Sequence, residues 1–402
     1  MRIILLYILL SLTLTASADS SKLSQKQFKK DISTVKTNLK ASKDLEKSEA
    51  TLRKYLADSV FSKQKSLHLM LIECLRKQYE AGNEKMYLKQ KVDTASILHT
   101  NVRQFLAIET FDSIDAAPNS KGVSEPSYRK KHAEYLKPYW GNILKGGIFF
   151  FAHSKWQDAW DSFNTYLDCY KQPLFSEAQL DTTQLRFAAF LATMSAYDLS
   201  NLTLALKYAE EAIAYAPRKE MTLQRLADIC AEKGDTARYV EYLERGNDAF
   251  PYSGYFFPNL IDLRVASKDY AKALQCADTA LAKDSLNITF LLARHNVLMM
   301  MQRYDEALED GIAMLVINDS LAIPNYNVGC IYYKKAQETM KQTGLSYKQR
   351  LKNAQQYYKL CRPYMERYRE LMPKDKHLWR PVLYDVYLNL NMGKEFDSLP
   401  PL

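Results

Sequence analysis

The chain carries six histidines, six cysteines and several adjacent carboxylates, the side chains from which metal sites, nucleophiles and general acids are built. Their spacing points away from each of those chemistries. His68, His99, His132, His153, His295 and His377 are scattered, and no two stand at the i, i+4 interval that sets two imidazoles on one helix face for a metal. Cys74, Cys169, Cys230, Cys276, Cys330 and Cys361 form no CxxC pair. Each sits in an apolar helical context and is read as a buried thiol acting as a small hydrophobe, with the disulfide state left open. There is no GxSxG, HExxH, Walker A or GxGxxG pattern, and Gly146-Gly147 lacks the Lys-Ser/Thr pair of a phosphate loop. Asp305-Glu306 and Glu309-Asp310 are read on the outer face of a helix, where no dry cleft would shift their pKa. His295 falls where a repeat places a small residue, so it is expected to pack against or cap a neighbouring helix. The expectation is a non-enzyme with no catalytic residue, no metal and no cofactor.

The elements that would position any binding residue are helices. At 402 residues the chain exceeds one compact core, and its 12 Gly and 13 Pro are too few for an all-β protein. Apolar residues recur at i, i+3, i+4 and i+7 over long stretches. Met1-Arg2, an apolar run from Ile3 to Leu14 and Ala16-Ser17-Ala18 match a secretory signal, so residues 1–18 are read as cleaved and the protein as exported, periplasmic or envelope-associated. No Cys follows the run, which argues against a lipid anchor, and no later run reaches membrane-spanning length. Asn201, Asn287 and Asn318 begin Asn-x-Ser/Thr triplets, which matter only in a glycosylating system. The net charge of +9 is concentrated at the ends. Residues 19–54 hold ten Lys/Arg against five Asp/Glu, and 334–376 hold twelve against four. These basic stretches suit an acidic protein, an anionic lipid surface or nucleic acid, or are solvated helix faces.

A repeat organises the middle of the chain. Ala205, Ala209 and Ala212 precede Pro217; Ala273, Ala277 and Ala280 precede Ser285; Ala307, Gly311 and Met314 precede Asp319. The closing residues fall on a 34-residue grid that also contains Pro251. Each unit reads as two antiparallel helices, broken at Lys233-Gly234-Asp235, Ser267-Lys268-Asp269 or Gln302-Arg303, with small residues where the helices approach. A single hairpin cannot bury both faces, so neighbours must stack.

This pattern resembles the tetratricopeptide repeat, a 34-residue helix–turn–helix. Units begin near Arg186, Glu220, Gly254, Ile288 and Ala322, with an earlier copy from Trp140 carrying Gly147, Ala159, Phe163 and Tyr166. Tyr239 and Gly246 stand where Ala is usual in the family, and Gly329 and Tyr332 match its Gly and Tyr positions. Segments Gly82–Lys89, Tyr128–Tyr135, Gly146–Phe150 and Leu388–Phe396 are similar to a family of exported Bacteroidota repeat proteins of undefined role. The resemblance implies an all-α, right-handed superhelical solenoid of helical hairpins over 131–396. About 20 residues are inserted within 334–360, lengthening both helices of that hairpin, and a solitary capping helix covers 377–391. Residues 19–40 are read as a mobile polar arm, 41–111 as an N-terminal helical extension (Leu45–Leu56, Lys65–Tyr79 and Asn83–Thr110), and 112–130 as a linker.

In such stacks the first helix of each hairpin lines a concave groove. That assignment places Phe190, Met194, Tyr197, Gln224, Asp228, Asp262, Asn296, Met299, Met300, Tyr326 and Tyr333 in it. Met299-Met300-Met301 serve core and groove packing rather than a soft metal. The Lys of the family's carboxylate clamp is missing, since Phe190, Gln224, Pro258, Leu292 and Tyr326 occupy its position, and Asn296 and Asn327 do not rebuild it. The expected function is an envelope scaffold that binds a protein or peptide of unknown identity, and the alternative is a glycan- or envelope-component-binding module. An enzyme with an unrecognised site is a remote third reading. Nucleic acid is not expected as a partner, and the oligomeric state is open.

Overall fold

The structure, a computed structural model, describes residues 25–176 and 181–401. The signal-sequence reading of 1–18 lies outside them. Among the described residues there is no strand, and the chain divides into two compact units, one up to Tyr239 and one from Val240. No helix among them is long and apolar enough to cross a membrane.

The first unit opens with α1 (25–41), α2 (Leu45–Leu56), α3 (Lys65–Tyr87) and α4 (Thr94–Asp115). The mobile-arm reading is corrected here. Ile32, Val35 and Leu39 are buried, Phe28 stacks on Phe61 at 4.4 Å, and the Tyr55 hydroxyl donates to Asp31 at 2.7 Å. Phe28, Ile32, Val35 and Leu39 form an apolar stripe at spacings of four, three and four, which outweighs the lysines on the opposite face. The expected break after Tyr79 is also displaced. Gly82 continues α3 because a side chain there would meet Ile97 of α4, at 2.7 Å from its Cγ1. The chain turns instead at Lys89 (φ 55°), and Asp93 caps α4 by accepting from the Ser96 N–H.

The linker is shorter than expected, and α5 (Arg129–Leu136) closes it. Buried Asp112 accepts two bonds along one guanidinium edge of Arg129, from Nε at 2.9 Å and from Nη2 at 2.7 Å. Buried Asp115 accepts from Lys65 and from the Tyr128 N–H. Then come α6 (Trp140–Ala152), α7 (Trp156–Cys169), α8 (Thr182–Asp198), the split second helix α9 (Leu202–Lys207) with α10 (Ala209–Ile213), and α11 (Lys219–Glu232).

α12 (Thr236–Ala249) bridges the division point. The second unit continues with α13 (Phe256–Ala266), α14 (Tyr270–Lys283), α15 (Ile288–Met300), α16 (Tyr304–Ile317), α17 (Ala322–Met340), α18 (Tyr347–Leu371), α19 (Lys376–Asn389) and the stub α20 (Gly393–Asp397). Both members of the α17–α18 hairpin are long, at 19 and 25 residues. α19 is followed by α20, so the capping helix is not solitary.

The period is written most clearly in the backbone. Ser200, Gly234, Lys268 and Gln302 all take positive φ, 34 residues apart, and only one of them is glycine. In each case the next N–H returns to a carbonyl in the last turn of the first helix: Asn201 to Ala196, Asp235 to Cys230, Asp269 to Arg264, Arg303 to Leu298. This left-handed cap satisfies helix-end carbonyls and aims the second helix back along the first. The same turn recurs at Ser42, Lys89, Ser154 and Asn391, so it also ends α1, α3, α6 and α19.

Small residues then let the helices close. Ala273 and Ala277 are fully buried beside Phe257 and Phe290, whose rings meet at 4.7 Å. At Gly246 a Cβ would lie 2.2 Å from the Phe256 ring, so the glycine is required by ring contact rather than by backbone conformation. None of the six cysteines forms a disulfide, and Cys74, Cys169, Cys230 and Cys361 are buried. The three Asn-x-Ser/Thr asparagines have structural uses. Asn201 and Asn287 cap α9 and α15, and Asn318 accepts from the Ser320 N–H.

Candidate interaction surface on the first helices

In the first unit the groove candidates lie on α8 and α11. Phe190 and Met194 are buried in the core, with Phe190 against Tyr215 at 5.7 Å, so they differ from the groove expectation. α8 packs on both pieces of its split second helix, α9 and α10, and on α7, and these neighbours cover the face the repeat position was expected to expose. Tyr197, Gln224 and Asp228 are half-buried. They are joined by Arg225, which the sequence reading passed over. Its guanidinium lies 4.8 Å from the Tyr197 ring centre, donates to the Tyr197 hydroxyl at 3.2 Å and reaches Asp228 at 3.5 Å. Arg225 is exposed and links α8 to α11. A cation stacked on an aromatic face is held in place while its remaining N–H groups stay available. The signal for it was an Arg beside two predicted groove positions.

In the second unit Asp262 on α13 and Asn296 on α15 are exposed and occupy the same place in successive hairpins. Met299 is half-buried, and Met300 is 52% exposed. Asn296, Met299 and Met300 stand at i, i+3 and i+4, which is one face of α15. Tyr326 and Tyr333 turn out to be mainly seam residues. Tyr326 packs on Tyr368 with ring centres 4.9 Å apart, and the Tyr333 hydroxyl donates to Asp385 of α19. Both belong to the core shared by α17, α18 and α19.

Asp310 does not lie on the outer face. It is buried and held by Arg294, whose Nε donates to Oδ2 at 2.9 Å. Asp310 sits one turn after Glu306 on α16, and its burial follows from the helix face that α15 covers, which spacing alone does not reveal. His295 caps its neighbour as expected. Its Nδ1 donates to the Ala307 carbonyl at 2.7 Å, and its Nε2 accepts from Asn327 at 3.0 Å. Burial pushes its pKa down, and the ring is neutral.

A cleft of about 400 Å³ opens between α16 and α17, lined by Arg303, Tyr304, Glu306, Lys334, Lys335 and Glu338 among others. Most of its cations are already engaged. Lys334 sits over the Tyr304 ring at 4.0 Å, Lys335 pairs with Asp305, and Arg303 pairs with Glu306 at 2.6 Å. Among the described residues no group of three or more His, Cys, Asp or Glu is placed to hold a metal ion.

Among the shifted groups of the first unit, Glu109 is a carboxyl brought into the neutral range. Burial pushes Glu109 up to about 7, with Asp168 adding to the shift and the Cys169 thiol, donating at 3.3 Å, opposing it. A carboxyl raised in the folded state binds more protons than in the unfolded chain, so stability falls as pH rises from about 4.5 to about 7. Glu109→Gln is therefore expected to melt with wild type near pH 4 and a few degrees above it near pH 8, in paired thermal melts across that range. A constant offset at every pH would remove Glu109 as the source.

The repeated left-handed turn, the 34-residue grid of second-helix starts at Leu202, Thr236, Tyr270 and Tyr304, and the small residues at the crossing points together decide the architecture. The fold is a stack of tetratricopeptide-type hairpins. No protein-family profile matches the chain, and no curated protein does. Solved structures that it resembles include the C-terminal part of a TPR repeat-containing protein from Cytophaga hutchinsonii, at 13% identity over 64% of this chain and 95% of that one, TM-score 0.39. Another is yeast Tom70, at 12% identity over 94% and 93% of the two chains, TM-score 0.27. The TPR domain of P58(IPK) matches at 10% identity over 91% and 99%, TM-score 0.26.

Proposed function

We propose that the chain is an exported, non-enzymatic scaffold of the cell envelope whose tetratricopeptide-type first helices bind an extended segment of a partner protein. The observation that carries this reading is the set of recognition side chains that each unit, taken by itself, exposes on its own first helices. The second unit exposes Asp262, Asn296 and Met300, and the first presents Arg225 braced on Tyr197. Arg and aromatic side chains are frequent binding hot spots, and an exposed Met adapts to varied apolar side chains. Asn and Asp can pair with the backbone of an extended peptide. Export is supported by the positive start, the apolar run 3–14 and Ala16-Ser17-Ala18.

Affinity capture from the envelope fraction of the host tests the reading. One bait is the native chain; the other carries Arg225→Ala, Asn296→Ala and Met300→Ala. All three side chains are exposed, so the second bait should keep its fold. A protein retained by the native bait and depleted at least about tenfold by the changes supports groove binding, since two hot-spot losses exceed that factor. Equal retention by both baits would move the contact off this surface. Retention of no protein, with binding on a glycan array, would favour an envelope-glycan module.

A further inference from the structure

We propose that the tip of the α17–α18 hairpin docks onto an anionic lipid surface. α17 begins one repeat after α15 but runs 19 residues against 13, and α18 runs 25 against 14 in α16. Because the start of α17 stays on the repeat grid, its added turns extend toward the α17–α18 connection. Every residue from 341 to 349 is exposed, as expected of a tip that reaches past its neighbours.

The tip has a definite conformation. Gly344 takes φ 84°, and Ser346 and Gln349 form a reciprocal capping box at the start of α18. Arg350 donates to the Gln342 carbonyl at 3.3 Å, tying the two ends of the connection. This frame presents Leu345, 37% exposed, and Tyr347, 61% exposed, to solvent. Beside them in sequence stand Lys341, Lys348 and Lys352, all exposed. The last two share one face of α18 at i, i+4. Between Glu338 and Glu366 there is no acidic residue, while six are Lys or Arg.

Charge complementarity therefore demands an anionic occupant, and the exposed apolar pair selects a lipid surface over an acidic polypeptide. The feature is a fully exposed tip carrying two apolar side chains, Leu345 and Tyr347, flanked in sequence by Lys341, Lys348 and Lys352. A Leu–Tyr pair suits the headgroup boundary, where Tyr keeps its hydroxyl in water. Lysines at that depth extend their ammonium groups to the phosphate layer. The inference is independent of the first-helix surface.

Co-sedimentation of the full chain with vesicles tests it. One set is phosphatidylcholine alone, and the other is equal parts phosphatidylcholine and phosphatidylglycerol. Any binding by the apolar residues 3–14 is common to all arms and cancels in the comparison. Each surface lysine contributes about fivefold to partitioning onto an anionic surface. The expected result is strong, salt-sensitive preference for the mixed vesicles, weakened about a hundredfold by Lys341→Gln, Lys348→Gln and Lys352→Gln together. Leu345→Ser with Tyr347→Ser should weaken it several-fold at unchanged salt dependence. Circular dichroism should match wild type throughout, and the Arg225, Asn296 and Met300 changes should leave vesicle binding intact. Equal binding to both vesicle sets, or full binding by either tip variant, overturns the proposal. Binding of polyglutamate without vesicle partition would overturn it in favour of an acidic polypeptide.

Discussion

Arg294→Met is expected to destabilise the second unit by about 3–5 kcal/mol, the cost of leaving a buried carboxylate without its partner. Arg294 projects from α15 and grips Asp310 of α16 through two N–H groups, while its third contact is Asp278 of α14 at 3.1 Å. The Asp310 side chain is only 3% exposed, so it relies on the guanidinium rather than on solvent to balance its charge. The side chain thus bolts one hairpin to the next. Adding Asp310→Asn to the variant should recover much of the loss, because a neutral amide is far cheaper to bury than a bare carboxylate. Arg303→Met is the control. It breaks a pair whose members are 40% and 52% exposed, and solvent screening leaves such surface pairs with little effect on stability. Hydrogen exchange resolved to the second unit is the suitable measurement, since a chain of two units need not unfold in one step. Equal losses for Arg294→Met and Arg303→Met would sink the assignment.

The second large effect is expected at the end of the stack. Trp379 of α19 is 3% exposed and packs in one core with Tyr358, Cys361 and Met365 of α18. Trp379→Ala should cost about 3–5 kcal/mol, from lost burial plus the cavity left behind. Two polar ties also cross this seam, from Tyr387 to Glu366 at 2.9 Å and from Tyr333 to Asp385. Repeat arrays hold together through nearest-neighbour contacts, so the terminal helix should loosen before the rest. Limited proteolysis should then cut the variant at the Met372–Asp375 connection and leave the preceding hairpins intact. Simultaneous loss of protection from α13 to α18 would show instead that the second unit melts as a whole.

Much of this architecture was legible in the residues. Helical periodicity, the 34-residue interval, the small residues at Ala205, Ala273 and Ala307, and the polar breaks before each second helix are local properties. Local backbone preference and side-chain size act wherever the segment sits. His295 was readable for the same reason, because a ring at a small-residue position must pack against the neighbouring helix. The stripe Phe28, Ile32, Val35 and Leu39 was also present in the letters, but its lysines drew the reading toward a mobile arm.

The binding surface was less legible, and the misses share one cause. A repeat position tells which way a side chain leaves its own helix, but not which neighbour covers it. Phe190 and Met194 leave α8 at groove positions and are buried, while Asn296, at the position of Met194 three repeats on, stays open on α15. Tyr326 and Tyr333 are taken up by the seam with α18 and α19, and Asp310 is enclosed by Arg294. Arg225 gained its role only from the approach of Tyr197 on the preceding first helix. The amino-acid sequence by itself determined the helices, their period and the turns that join them, because those follow from residues a few positions apart. Tertiary structure alone decided which side chains remain exposed, because exposure depends on the neighbouring helices, whose contacts come from residues tens of positions away.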